Sequence, residues 1–254
     1  MLEIRNRRLD IPGAFNVRDL GGYPTRSGNV TAWRAFLRAD SLHNATQEGR
    51  GELLNYGVRT IIDLRSPREI AKSPAPLEIR DAVTYHHIPV VEDAALPGTT
   101  DTIPEDLAAL YRVFLDGSQP AMLRIFAAMA SASRGTILFN CTAGKDRTGV
   151  VAALLLGLAD VERASIASDY SESADNLEPL FASIRLSLQT APPVERVLFE
   201  RLLGSDKHMM ALTLAYLDDR YGGAETYLRQ IGLEDAQVLR IKSRLIDGSA
   251  SMTE

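Results

Sequence analysis

In the first half of the chain apolar residues come in short β-branched or aromatic runs, whereas beyond about residue 149 they recur at helical spacing or fill long stretches. The runs predict strands over 33–37, 60–64, 83–90 and 136–139. Helical spacing predicts helices over 106–115 and 121–130. TGVVAALLLGLADVE, from Thr148, is too long and too continuously apolar for a strand, so a buried helix is expected from near Arg147. Further helices are expected over 161–171, 175–188, 194–203, 206–221, 224–230 and 235–246. Strands first and helices after imply an α/β fold: a central, mostly parallel sheet flanked by helices, with its ligand site at the carboxyl edge and a helical C-terminal part. Residues 1–254 read as a single domain, without repeats or low-complexity tracts. Leu177, Leu180, Phe181, Ile184 and Leu188 form one helical stripe, and Pro192-Pro193 interrupts the chain after it.

Composition changes this picture little. With 45% hydrophobic and 24% charged residues the chain is ordinary globular protein. A net charge of -5 argues against a nucleic-acid partner, whose footprint would be a basic face. The longest apolar run, 150–158, is about half of the ~20 residues a membrane span needs, so no transmembrane segment is expected. MLEIRNRRLDIPGAF lacks the apolar core of a secretory signal and a single cysteine forms no internal disulfide, so a cytoplasmic setting is the expectation, with signal-less export left open. His86 and His87, adjacent on a strand, point to opposite faces and cannot chelate one ion; one is expected buried and the other exposed. His43 and His208 lack partners at ligand spacing. Neither metal nor cofactor is expected.

The chemistry concentrates in TILFNCTAGKDRT. Cys141 ends an apolar strand and Arg147 follows six residues on, just where a helix should begin. Such a spacing arises by chance roughly once in sixteen, so its place between strand and helix carries the argument. A Cys-x5-Arg loop closing on a helix N-terminus can turn the amides of Thr142, Ala143, Gly144, Lys145, Asp146 and Arg147 toward an anion. The same field favours a thiolate at Cys141, and Arg147 offers a planar fork for phosphate oxygens. Cys141 would then attack phosphorus, Thr148 would stabilise the departing thiolate, and Asp146 is the nearest general acid, with Asp93 and Asp101 as runners-up. Lys145 is expected to face the substrate or be solvated. A nucleotide-binding loop fails, because Phe139 stands where its leading glycine should be and Asp146 where its Ser/Thr metal ligand should be.

NCTAGKDRTG, 140–149, resembles the signature loop of the protein tyrosine phosphatase superfamily, and is most similar to bacterial tyrosine and phosphoinositide phosphatases of the mycobacterial protein tyrosine phosphatase B type. FNVRDLGG at 15–22, DLRSPRE at 63–69 and YGGAETYLRQIGL at 221–233 resemble other segments of that group. The resemblance implies metal-independent hydrolysis of phosphomonoesters through a cysteinyl-phosphate, with a phosphorylated protein or phosphoinositide as substrate. It also implies that Asp146 in the loop is the acid and that a helical lid lies near 174–205. The apolar stripe therefore reads either as core or as lid. One departure stands out: Asn140 occupies the position where the family usually has His, and it cannot carry positive charge. That substitution leaves open a catalytically weak phosphate-binding protein of the same fold; a sulfurtransferase is the remote third reading. Asp63 either orients the loop or caps a turn, Arg65 and Glu69 are expected to pair, and Arg18 or Asp19 is expected near the site.

Overall fold

The structure, a computed structural model, describes residues 6–91, 105–189, 192, 196, 200 and 202–247. Its centre is a five-stranded sheet ordered β1-β2-β5-β3-β4, with β1 Arg18–Asp19, β2 Phe36–Ala39, β3 Val58–Asp63, β4 Thr84–His87 and β5 Thr136–Asn140. β2, β5, β3 and β4 run parallel and only β1 is antiparallel, so the expected mostly parallel sheet is present. Register sets Asn140 beside both Ala39 and Asp63, which gathers three strand ends at one carboxyl edge directly before Cys141.

Both faces are covered, as a parallel sheet requires. Ile137 and Phe139 of β5 join the larger core, and Leu138, pointing the other way, joins a smaller core containing Leu53 and Ile79. Those two residues belong to helices that apolar spacing does not announce, α1 Gln47–Tyr56 and α3 Leu77–Ala82. Local chemistry delimits α1 and α2: Thr46 caps α1, Gly57 ends it at φ 112°, and Ser66 with Glu69 forms a capping box on α2 Pro67–Lys72. On the larger side lie α4 Leu107–Gly117, α5 Gln119–Ser131, α6 Asp146–Leu158, α7 Arg163–Ser187, α8 Lys207–Tyr221, α9 Ala224–Gln230 and α10 Asp235–Asp247. α6, apolar all round, packs against β2, α4, α7 and α9.

Three expectations need correcting. The strand expected over 33–37 is Phe36–Ala39 and includes Arg38, whose guanidinium is buried. The two helices expected over 161–171 and 175–188 are one 25-residue helix that accommodates Pro179. His86 and His87 are both half-buried, and the His87 imidazole Nε2 lies 2.8 Å from the Arg65 carbonyl. The helix expected over 194–203 falls largely outside the described residues, as do Asp93 and Asp101.

Asp169 on α7 explains how Arg38 can be buried. Its carboxylate accepts from Arg38 Nη1 and from Arg18 Nε at 3.4 Å, and Tyr23 adds a hydroxyl at 3.1 Å. Two guanidiniums against one carboxylate is a costly arrangement: burial first, then Arg38, push the pKa of Arg18 down to about 10. Burial also opposes the charge of Asp169, but Arg38 and Arg18 outweigh it and hold its carboxyl below the ordinary range. Removing one partner of a buried pair typically costs about 3–5 kcal/mol. Asp169→Asn is therefore expected to lose stability of that order at pH 7 in urea unfolding; a loss below about 1 kcal/mol would contradict the assignment. Because the Asp169 pKa is depressed on folding, its contribution is present above the unfolded-state value, about 3.9, and is lost as pH falls through the folded one. The acid-side decline of wild type should accordingly be shallower in Asp169→Asn.

Candidate active site

Cys141 follows β5 directly, is 2% exposed, and opens a turn that ends where α6 begins at Asp146. The outer side of that turn is tied down. The carbonyl of Thr142 accepts from Ser41 N at 3.0 Å, and that of Ala143 from Asn16 Nδ2 at 3.0 Å. The carbonyl of Gly144 accepts from Asn16 Nδ2 at 3.1 Å and from Arg38 Nη2 at 2.9 Å. A trans peptide points its C=O and the next N–H in opposite directions. Carbonyls held outward therefore turn the amides of Ala143, Gly144 and Lys145 to the inner side. Among the described residues no amide from Thr142 to Arg147 donates a hydrogen bond. These donors sit at a helix start, where an anion is the natural partner.

Gly144 makes the turn possible. Its φ is 65°, and a Cβ there would lie 2.5 Å from the backbone of Ala39 and Asp40. Asp40 in turn accepts the amides of Phe15 and Asn16, the latter at 2.9 Å, which fixes the residue that holds the loop. Burial raises the Asp40 pKa to about 6 against those two bonds.

Arg147 closes the rim. Its Nη1 and Nη2 donate to the Glu69 carboxylate at 2.6 and 2.7 Å, and Nη2 lies 3.3 Å from Thr142 Oγ1. Burial disfavours charge on Glu69, but the hydrogen bonds and charge of Arg147, joined by Thr142, bring its pKa down to about 2. For Arg147 burial likewise opposes charge, and Glu69, then Cys141, raise its pKa, so it is a permanent cation. The capping box that starts α2 aims Glu69: Ser66 N donates to its Oε2 at 2.8 Å.

Other expected residues are placed less simply. Asp146 is 27% exposed, and its Oδ1 accepts from Tyr111 Oη at 2.5 Å. Thr148 Oγ1 is buried without a hydrogen-bond partner, the Cys141 sulfur included. Asn140 is 2% exposed and its carbonyl accepts from Leu64 N. Lys145 is not solvated: 1% exposed, it donates to the carbonyls of Leu202 and, at 2.7 Å, Gly204. A desolvated ammonium needs acceptors, and these carbonyls are exposed where the chain leaves its helical turn at Leu203. Among the described residues the Asp63 side chain makes no hydrogen bond to the loop; it accepts from Arg65 Nη2 at 2.7 Å and Tyr85 Oη at 2.7 Å. The pairing expected between Arg65 and Glu69 is thus split into Arg65–Asp63 and Arg147–Glu69. Arg18 supports Asn16 from below, and Asp19 secures the turn through Gly21 N and Arg34 N. Leu177, Phe181 and Leu203 form a small cluster against Phe15 and Ala143, apart from the main core.

The chain matches the tyrosine phosphatase family over residues 9–247. The chain belongs to that family. It is 36% identical to a tyrosine-protein phosphatase of Nostoc commune over 83% of this chain and 74% of the relative. It is 29% identical to the triple specificity protein phosphatase PtpB of Mycobacterium tuberculosis over 93% of this chain and 98% of that one. This tyrosine phosphatase family member is a phosphoric monoester hydrolase acting on phosphorylated substrates, and the reading as a weak phosphate-binding protein gains no support from relatives so named. No helix among the described residues is long and apolar enough to cross a membrane. Among those residues no group of three or more His, Cys, Asp or Glu is placed to hold a metal ion.

Sequence reasoning passed over Asn16, Arg38, Asp169, Tyr111 and Tyr170. Only Asn16 carried a signal, its place in the FNVRDLGG segment; the others become site residues through contacts far along the chain. In this phosphatase Gly144→Ala should abolish aryl phosphate hydrolysis by at least about 100-fold, because strain and the Ala39 backbone both displace the amides. Activity within about threefold of wild type would show that the loop does not depend on this backbone.

Proposed function

We propose that this phosphatase hydrolyses phosphotyrosine, with phosphoserine, phosphothreonine and phosphoinositides as further substrates, through a cysteinyl-phosphate on Cys141. The observation that carries this reading is the loop itself: unspent amides on its inner side, Cys141 at its start and Arg147 at its rim. Cys141, at 2% exposure, suits a substrate long enough to reach a deep sulfur, as an aryl phosphate is. Breadth beyond tyrosine is supported by the three specificities in the name of the mycobacterial relative. Residues 1–254 act as one phosphatase domain, and we read 174–205 as a lid because its apolar cluster packs on Ala143 rather than on the main core.

The thiolate of Cys141 attacks phosphorus in line as the bond to the leaving oxygen breaks. The loop amides of Thr142, Ala143, Gly144 and Lys145 and the Arg147 guanidinium hold the equatorial oxygens, whose charge dominates a loose transition state. Asp146 gives its proton to the leaving oxygen. As a carboxylate it then takes a proton from water, the resulting oxygen nucleophile breaks the S–P bond, and phosphate leaves with the thiolate restored. Thr148, whose hydroxyl is unspent, can turn to that thiolate. A nucleophilic thiol requires reducing surroundings, which supports a cytoplasmic setting.

Chromogenic aryl phosphate in the presence of a chelator tests the reading. Turnover should persist in wild type and vanish in Cys141→Ser; turnover that survives the substitution overturns it. Asp146→Asn should slow an alkyl phosphate by roughly 100-fold or more and nitrophenyl phosphate far less, since only the poor leaving group needs the proton. Equal slowing of both would remove Asp146 as the acid.

A further inference from the structure

Among the described residues, Asp146 is the only loop side chain whose partner is itself part of a buried hydroxyl chain. Tyr111 on α4 is 0% exposed, and its Oη lies 2.5 Å from Asp146 Oδ1 and 2.6 Å from Tyr170 Oη on α7, which is 1% exposed. The rings meet edge to face with centroids 5.8 Å apart, so neither phenol can swing without disturbing the core. Each phenol has a single proton. An ionised Asp146 can only accept, which directs the Tyr111 proton to Oδ1 and leaves the Tyr111 oxygen to accept from Tyr170. Lys145 Nζ, 3.4 Å away, also approaches Oδ1. Oδ2 accepts no hydrogen bond among the described residues.

The geometry points to Tyr111, backed by Tyr170, as the positioning residue of the general acid: by claiming Oδ1 it confines the transferable proton to Oδ2. This inference rests on Asp146 being the acid. Both phenols stay protonated throughout the working range, since burial first and the charge of Asp146 second push their pKa values up. The groups that bear on Asp146 are Lys145 beside it, Arg147 one residue on, and the two tyrosines; Arg38 of β2 and Asp206 before α8 act on Tyr170. None of the others supplies a second neutral donor to Oδ1.

Tyr111→Phe removes one oxygen and keeps the packing. At one fixed pH, turnover of an alkyl phosphate should fall about tenfold more than turnover of nitrophenyl phosphate, because only the poor leaving group needs the oriented proton. Equal slowing of both esters would reduce Tyr111 to a packing residue and overturn the inference. Should Tyr111→Phe fail to fold, Tyr170→Phe is judged by the same leaving-group comparison, with a smaller difference in the same direction. Asp146→Asn separates the two levels. If it shows no leaving-group dependence the acid reading fails and takes this one with it; if it does and the tyrosine variants do not, this inference alone fails.

Discussion

The site depends on the outward tethering of three consecutive carbonyls. Peptide geometry turns the amides of a loop toward a ligand only if something holds its carbonyls the other way, and Ser41 N, Asn16 and Arg38 do so here. A guanidinium reaching those carbonyls from inside the protein must be desolvated, and a desolvated cation needs a counter-charge. Asp169 supplies it from a helix 131 residues away, and the same carboxylate steadies Arg18, which steadies Asn16. Activity and stability are therefore coupled through one buried aspartate.

Charge is matched around the cup as well as beneath it. Arg147 meets Glu69, and Lys145 meets carbonyls at the end of the 174–205 segment. Glu69 takes the end-on pair of guanidinium nitrogens of Arg147, while Nε donates no hydrogen bond among the described residues. Lys145 links the loop backbone to the segment whose Leu177, Phe181 and Leu203 lie against Ala143. One residue of the loop thus packs against this cluster and another is hydrogen-bonded to the carbonyls of Leu202 and Gly204.

Some elements were legible because their causes are local. The runs at 60–64 and 136–139 became β3 and β5 nearly as read, and the apolar stretch after Thr148 became α6. α1 and α2 are set by caps more than by an apolar stripe: Thr46 and Gly57 bound one, Ser66 and Glu69 start the other, and apolar spacing does not register them. β2 was placed too early because an arginine reads as the end of a strand; Arg38 belongs inside it once Asp169 neutralises it. Ser171 and its polar neighbours read as a break between helices, yet α7 continues because Ser173 and Asn176 are buried and bonded to Arg18 and Asn16.

Motif and periodicity determined what can be decided within a few residues: the α/β order, the cysteine at a strand end, the arginine at a helix start and the glycine between them. Each follows from backbone preferences and nearest neighbours along the chain. Only the folded molecule decided the partners, because electrostatic and hydrogen-bonding matches form across space. It paired Arg147 with Glu69 rather than Arg65 with Glu69, bound Lys145 to the carbonyls of Leu202 and Gly204, and set two tyrosines from different helices behind Asp146. A charge in a sequence states that it needs a partner. Which partner it finds depends on the layers that bring distant segments together and exclude water between them.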